Sequence, residues 1–252
     1  MDSDHRAVAV GALADREYER AGDAYTRAAW DRLAEPRDGL SPFDADDRGW
    51  VGRALQRLAT AGVCYRVAGR DDRATRRGRE GVAVAGDLET ALDQPAQRAC
   101  LREFAADFRA VGDLGDAGEA YDDAERAYRE AAGSVDDVNT LTTTPLFQAA
   151  ADMLRQVARG PANGEIAVPW EDLHGPDPDD VGGFLAHRAR LKRQRFPSLL
   201  GRVARDGALA APRGTTEYNN ANFRCPQCES TDVNWVTDHT LCLRCSAPMV
   251  SR

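Results

Sequence analysis

The feature that most constrains this chain is a set of four cysteines near its C-terminal end. Cys225 and Cys228 form one C-x2-C pair, and after thirteen intervening residues Cys242 and Cys245 form a second pair. Each pair can supply two thiolates from one tight turn, and four thiolates at this spacing are typical of a tetrahedral Zn²⁺ site. With four cysteine ligands no coordination position stays open. The spacing therefore predicts one structural Zn²⁺ ion per chain, held by these four cysteines.

The thirteen residues between the pairs predict a β-hairpin whose turn lies near Asp238. A segment this short buries too little apolar surface to fold alone, so we expect the metal ion to fold it. Two alternatives stay open, which are iron in the same four-thiolate geometry and two disulfide bonds in an oxidising compartment. His239 lies beside the turn, and we predict that it is solvated and is not a metal ligand.

Three short segments around the cysteines resemble the N-terminal zinc ribbon of archaeal transcription factor B and its relatives. They are 223–228 (FRCPQC), 230–232 (STD) and 242–245 (CLRC). The resemblance covers about residues 221–250, and it implies a small β-rich zinc-binding unit in a transcription-associated protein. Glu229 and Ser246 stand where a glycine commonly follows each cysteine pair in that family.

A second pattern, Y-x2-A-x3-Y-x2-A, occurs twice in the upstream part of the chain. Its copies are Tyr18, Ala21, Tyr25 and Ala28, and then Tyr121, Ala124, Tyr128 and Ala131. Within each copy the four positions share one helix face, and the copies lie close to three units of about 34 residues apart. The pattern resembles the second helix of a tetratricopeptide repeat, in which alanines let paired helices approach and aromatic rings fill the gap. An irregular helical bundle is the alternative interpretation.

The fold class that we predict is mainly α, a helical-hairpin (tetratricopeptide-like) solenoid or bundle with a small C-terminal β zinc ribbon. Residues 1–206 are assigned to the helical domain, 207–220 to a linker rich in turn-forming residues, and 221–252 to the ribbon. Separate helices are expected at about 48–61 and 63–69, and another is expected to end at Phe196, because Pro197 follows.

The charged residues of the chain are strongly biased toward arginine and aspartate. The net charge is −8, Lys192 is the one lysine among 33 basic residues, and aspartate supplies 28 of the 41 acidic ones. This composition is similar to that of haloarchaeal proteins, and a bacterium with a GC-rich genome is the alternative source.

No apolar run is long enough to span a membrane and the acidic N-terminus is unlike a signal peptide, so we expect a cytoplasmic protein. Cys64 and Cys100 are predicted core thiols.

One stretch of the helical part reverses the acidic character of the chain. It contains Arg188, Arg190, Lys192, Arg193 and Arg195. Beside a zinc ribbon these side chains could contact the phosphates of DNA or RNA, with Trp235 stacking on a base. The other interpretation is a solvated helix face whose arginines pair with nearby carboxylates.

Motifs of the common enzyme classes are absent from the sequence. It contains no phosphate-binding G-x4-G-K-[ST], no dinucleotide-binding G-x-G-x2-G in a strand–helix setting and no H-E-x2-H. No small-molecule substrate is indicated either. We therefore expect a non-enzymatic adaptor that binds a protein partner through its helical surface and its zinc ribbon. The alternative is a nucleic-acid-binding or transcription-associated factor that uses the ribbon and the arginine-rich stretch.

Overall fold

The computed structural model describes residues 4–34, 50–160 and 168–252, and these are mainly α-helical. The helices of the described residues are α1 (His5–Ala14), α2 (Tyr18–Ala34), α3 (Trp50–Val67), α4 (Asp71–Thr90), α5 (Pro95–Gly112), α6 (Ala117–Ala131), α7 (Val138–Thr142), α8 (Pro145–Ala158) and α9 (Val181–Asp206). Two 3₁₀ segments, Ala132–Ser134 and Trp170–Leu173, lie between them. The predicted mainly α class is confirmed.

Short strands form the C-terminal part. They are β1 (Thr215–Glu217), β2 (Phe223–Arg224), β3 (Val233–Val236), β4 (His239–Cys242) and β5 (Val250–Ser251). Strands β1, β3 and β4 form one antiparallel sheet in that order, and β2 pairs with β5. The predicted hairpin is β3–β4, in which Val236 pairs with His239 across a two-residue turn that contains Asp238. This confirms the small C-terminal sheet beside the cysteines.

Helices α1 to α6 pack in chain order, each against the next. All eight tyrosines and alanines of the repeated pattern are buried, with exposed fractions of 8% or less. Small residues bring the helices close: a Cβ atom on Gly78 of α4 would lie 2.7 Å from the Cα of Gly112 at the end of α5. The burial predicted from the pattern is therefore correct, while membership of the tetratricopeptide class stays a prediction.

The last two long helices cover one side of this series. α8 packs against α3 and also touches α5 and α9, whereas α9 packs mainly against α6 and also touches α5 and α3. The side formed by α3 and α5 is therefore filled by helices of the same chain. A partner segment would have to bind elsewhere on the molecule.

Two helices are longer than predicted. α3 continues through the expected break near residue 62, and α9 continues through Pro197. A proline removes one backbone hydrogen bond from a helix interior. In α9 the buried side chains of Phe196, Leu200 and Val203 lie on both sides of this point along the chain. Tertiary packing of these residues outweighs the local cost, since packing supplies most of the stability of helices in proteins.

The stretch 207–220, which was predicted as a linker, is structured. Gly207 ends α9 with a positive φ of 61°, the left-handed conformation that glycine adopts readily. Leu209 and Ala211 are then buried in the core of the helical part, and β1 joins the ribbon sheet. This stretch therefore connects the two parts through packed residues.

Cys64 and Cys100 lie in the core with no exposed surface, as predicted. Burial raises the pKa of both thiols, so neither is poised as a thiolate. None of the helices within the described residues is both long enough and apolar enough to cross a membrane.

Candidate metal centre

The four cysteines predicted as metal ligands come together in the structure. The sulfur atoms of Cys225, Cys228, Cys242 and Cys245 all lie within 4.8 Å of one another. The Sγ–Sγ distance is 3.5 Å for the pair Cys225–Cys245 and 3.5 Å for the pair Cys228–Cys242. Four thiolates around a tetrahedral Zn²⁺ ion, with Zn–S bonds of roughly 2.3 Å, are about 3.8 Å apart. The group can therefore hold a metal ion, and its sulfurs are too far apart for disulfide bonds.

The two cysteine turns have the same backbone hydrogen bonds. In the first, the amide of Glu229 donates to the carbonyl of Cys225 at 3.0 Å; in the second, the amide of Ser246 donates to the carbonyl of Cys242 at 2.9 Å. The amide of Gln227 also donates to the sulfur of Cys225 at 3.4 Å. The backbone bonds hold each pair of sulfurs in one turn, and the bond from Gln227 stabilises negative charge on the sulfur of Cys225.

The residues that follow the two cysteine pairs adopt a left-handed backbone conformation, which glycine adopts readily. Glu229 has a φ of 61° and Ser246 a φ of 62°. In Ser246 the side chain has a function that glycine lacks, because its Oγ accepts a hydrogen bond from the amide of Ala211 at 2.9 Å. This bond ties the second cysteine turn to the stretch that leads out of the helical part.

His239 was predicted to be solvated, and this prediction is wrong. Its Nε2 lies 2.9 Å from the carbonyl oxygen of Ala7 in α1, and its ring packs on Gly11, where a Cβ atom would come within 2.8 Å of the ring. It is no part of the cysteine group, which confirms that it is not a ligand. The sequence could not show this contact because Ala7 is 232 residues away.

Further contacts fix the ribbon to the helices. Val236 and Leu241 belong to the same apolar cluster as the helical core. Gln156 of α8 donates to the carbonyl of Ala210 at 2.9 Å, and the guanidinium of Arg159 donates to the carbonyl of Ala211. The ribbon is therefore attached to α1 through His239, and the stretch that leads into it is attached to α8 through Gln156.

The structure corrects the predicted nucleic-acid contacts at two positions. Arg188 is 1% exposed and Lys192 is fully buried, so neither side chain can reach a phosphate. Both lie on the face of α9 that packs against α5 and α6. The cluster of basic residues in the sequence predicts an exposed, phosphate-binding surface, but these two side chains belong to the core.

Two buried carboxylates of α5 hold these cations. The guanidinium of Arg188 donates to both oxygens of Glu103, at 2.8 and 2.9 Å. The ammonium of Lys192 lies 2.7 Å from Glu103 and 2.6 Å from Asp107. We call Glu103, Asp107, Arg188 and Lys192 the ionic cluster. It contains two charges of each sign, which is the arrangement in which buried charges are tolerated.

Two tyrosines of the second pattern copy complete the ionic cluster. The hydroxyl of Tyr128 donates to Glu103 and that of Tyr121 donates to Asp107, each at 2.6 Å. Burial alone would raise the pKa of Glu103, but the charges of Arg188 and Lys192 lower it, and the net shift is downward. Glu103 is therefore ionised. The i, i+4 spacing of Glu103 and Asp107 within an apolar stripe was the signal in the sequence that could have revealed this role.

The remaining predicted contacts lie at the surface. Arg190 pairs with Glu125 at 3.2 Å and Arg193 with Asp122 at 2.8 Å, both on α6. Arg195 is exposed, and Trp235 of β3 is half-buried. The arginine-rich stretch is thus divided between the core and the surface. The alternative interpretation of a solvated, paired helix face describes Arg190 and Arg193 but not the buried Arg188 and Lys192.

No protein-family model, curated protein or solved structure matches this chain. The assignment of function therefore rests on the geometry of the molecule.

Proposed function

We propose that the protein is a non-enzymatic adaptor in which a zinc-loaded ribbon, mounted on a helical support, contacts a protein partner. The observation that carries this proposal is the placement of the ribbon. One side is fixed to α1 by His239 and to the helical core by Val236 and Leu241, while β1 lies at an edge of its sheet and pairs only with β3 among the described strands. An open edge strand can pair with an extended segment of another protein.

Zn²⁺ is the metal that we assign to the four cysteines. The donor set is all thiolate, the sulfurs are close to a tetrahedral arrangement, and no ligand position is left for a substrate, so the ion has a structural role. Elemental analysis should find one zinc, and no iron, per chain.

Exposed apolar side chains on the ribbon support the choice of a protein partner. Tyr218, directly after β1, is 48% exposed, and Val250 in β5 is 52% exposed. Amphipathic rings and aliphatic groups of this kind are enriched where proteins meet one another. Nucleic-acid binding has less support, because Arg188 and Lys192 are buried and Arg190 and Arg193 already have carboxylate partners.

The proposal can be tested with immobilised, zinc-loaded protein in an extract of the source organism at its native salt. A partner bound through the ribbon should survive nuclease treatment and should be lost from the variant Tyr218→Ser/Val250→Ser. Both substitutions are at exposed positions, so the fold should persist, which circular dichroism can confirm.

The matched control is Trp30→Ser, which removes a comparably exposed apolar side chain from α2, away from the ribbon. It should retain the partner. Capture that disappears after nuclease treatment, or that is unchanged in the ribbon variant, would contradict the adaptor proposal.

A further inference from the structure

A basic pocket lies at the end of the helical part that faces the ribbon. It has a volume of about 300 Å³ and is bounded by α1, α2, α3, α8 and the stretch before β1. Seven arginines and a single carboxylate, Asp152, are among the described residues that line it. In a chain with a net charge of −8, this concentration of positive charge is unexpected.

Three of the arginines crowd one wall. They are Arg6 of α1, Arg32 of α2 and Arg57 of α3. The pKa of Arg57 is lowered to about 10, first by burial and then by the positive charges of Arg32 and Arg6. Its guanidinium donates to the carbonyl of Ala28 at 3.2 Å. Among the described residues, the negative charge of Asp4 acts on Arg57 in the opposite direction, but it offsets the repulsion from Arg32 and Arg6 only in part.

A buried hydroxyl in the same pocket lacks a partner. Tyr25 lines the pocket and is only 3% exposed, and its OH group has no hydrogen-bond partner among the described residues. A buried polar group without a partner is destabilising, so such groups are rare in proteins. An acceptor supplied by a ligand would satisfy this hydroxyl.

The opposite wall carries further donors. Arg155 of α8 lies 3.4 Å from Asp152, and Arg213, which precedes β1, is exposed at the rim. Thr60 and Gln156 add buried polar side chains between the two walls. Because these groups come from α3, α8 and the stretch before β1, a bound anion would connect the helices to the ribbon.

We propose that this pocket binds a small anion that carries phosphate groups, such as a diphosphate or a nucleoside diphosphate. The planar guanidinium group presents parallel N–H donors that match phosphate oxygens, and several arginines around one site can neutralise more than one negative charge. The volume is at the lower end of the range for small-ligand sites, which suits a ligand of this size. This binding function is independent of the adaptor proposal.

The test uses the full, zinc-loaded chain in buffer free of phosphate and sulfate, at low salt and at molar KCl. Inorganic pyrophosphate, ADP and adenosine are each titrated by calorimetry, and the melting temperature is followed in parallel. Pyrophosphate or ADP should bind and raise the melting temperature, while adenosine, which lacks phosphate, should do neither. Tighter binding of ADP than of pyrophosphate would assign the nucleoside to the pocket as well.

Two variants locate the site. Arg32→Gln/Arg57→Gln should weaken binding by at least about tenfold, because each lost guanidinium removes charge-assisted hydrogen bonds. Tyr25→Phe removes only the buried hydroxyl and should weaken binding several-fold without lowering the melting temperature of the free protein. The second variant keeps the test valid if the first is unstable.

The matched control is Arg79→Gln, an exposed arginine of α4 that is not in the pocket. It should bind as the wild type does. The proposal is overturned if neither pyrophosphate nor ADP binds at low salt, if Tyr25→Phe and the double variant bind normally, or if Arg79→Gln loses as much affinity as they do.

Discussion

Two regions of the helical part bury arginines in opposite electrostatic settings. In the ionic cluster, Arg188 and Lys192 face two carboxylates, and every charge has a partner of the other sign. In the basic pocket, the positive charges of Arg32 and Arg57 act on one another instead, and among the described residues the carboxylate of Asp4 offsets this repulsion only in part. The side chains of the first region are almost completely buried, whereas the second region has an open volume of about 300 Å³.

The two copies of the tyrosine pattern differ in the same way, because among the described residues one has a hydroxyl paired with a carboxylate and the other does not. In the second copy the hydroxyl of Tyr128 donates to Glu103 at 2.6 Å, whereas at the equivalent position of the first copy the hydroxyl of Tyr25 has no partner among the described residues. Both rings are buried alike. The pattern thus specifies packing, and the surrounding charges decide whether the hydroxyl is satisfied within the chain or left for a ligand.

The largest expected effect comes from removing the metal ion. Binding of structural zinc is worth on the order of 10 kcal/mol in isolated zinc-binding units, so chelation should unfold the ribbon. The basic pocket should then loosen, because Arg159 and Gln156 lose their contacts to residues 210–211, while the ionic cluster should stay closed. Hydrogen exchange after chelation should rise in α1 and α8 and stay low in α5 and α9. Equal protection loss in all four helices would show that both regions depend on the ribbon.

The next effect concerns the balance of charge in the ionic cluster. Glu103→Gln removes one negative charge and leaves buried cations uncompensated, which typically costs about 3–5 kcal/mol. Chemical denaturation should show a loss of this size. The matched control is Glu125→Gln, which removes a carboxylate paired with Arg190 at the surface and should cost less than about 1 kcal/mol. Similar losses for both variants would mean that the cluster is no more tightly held than a surface pair.

A pair of phenylalanine substitutions compares the two tyrosines directly. Tyr128→Phe removes a hydrogen bond to an ionised carboxylate and should lower the free energy of unfolding by about 1.5–3 kcal/mol. Tyr25→Phe removes a hydroxyl without a partner and should leave the stability unchanged or raise it by up to about 1 kcal/mol. Urea denaturation of the two variants measures the difference. Equal losses would show that the hydroxyl of Tyr25 is satisfied in solution.

The smallest effect is a pH dependence beside the ionic cluster. His174 stacks on Phe184 of α9, and its pKa is lowered to about 4, first by burial and then by the charge of Arg188. Between about pH 6.5 and pH 4 the unfolded chain binds a proton at this residue and the folded chain does not. The free energy of unfolding should therefore fall as the pH drops through this range.

The variant His174→Phe should show a shallower fall in stability over the same pH range, because its ring cannot take up a proton. Thermal melts of both proteins at several pH values measure the two slopes. Identical slopes would show that His174 is protonated as readily in the folded chain as in the unfolded chain.

The sequence was informative wherever the signal was local. Two thiolates supplied by one tight turn are typically separated by two residues, so Cys225 with Cys228, and Cys242 with Cys245, could be identified as a candidate metal site. The helix faces of Tyr25 and Tyr128 followed from the helical period, and both side chains are buried. The position of the hairpin turn followed from residue types in the same way.

Pairings between distant residues could be decided only by the tertiary structure. Arg188 and Arg195 are the same residue type seven positions apart, yet one is buried and the other exposed, because only the first lies opposite Glu103, 85 residues earlier. The basic pocket has the same origin, since its arginines come from separate helices and from the stretch before the ribbon. Burial of a charge depends on what lies across from it in space, and a linear pattern carries no record of that neighbour.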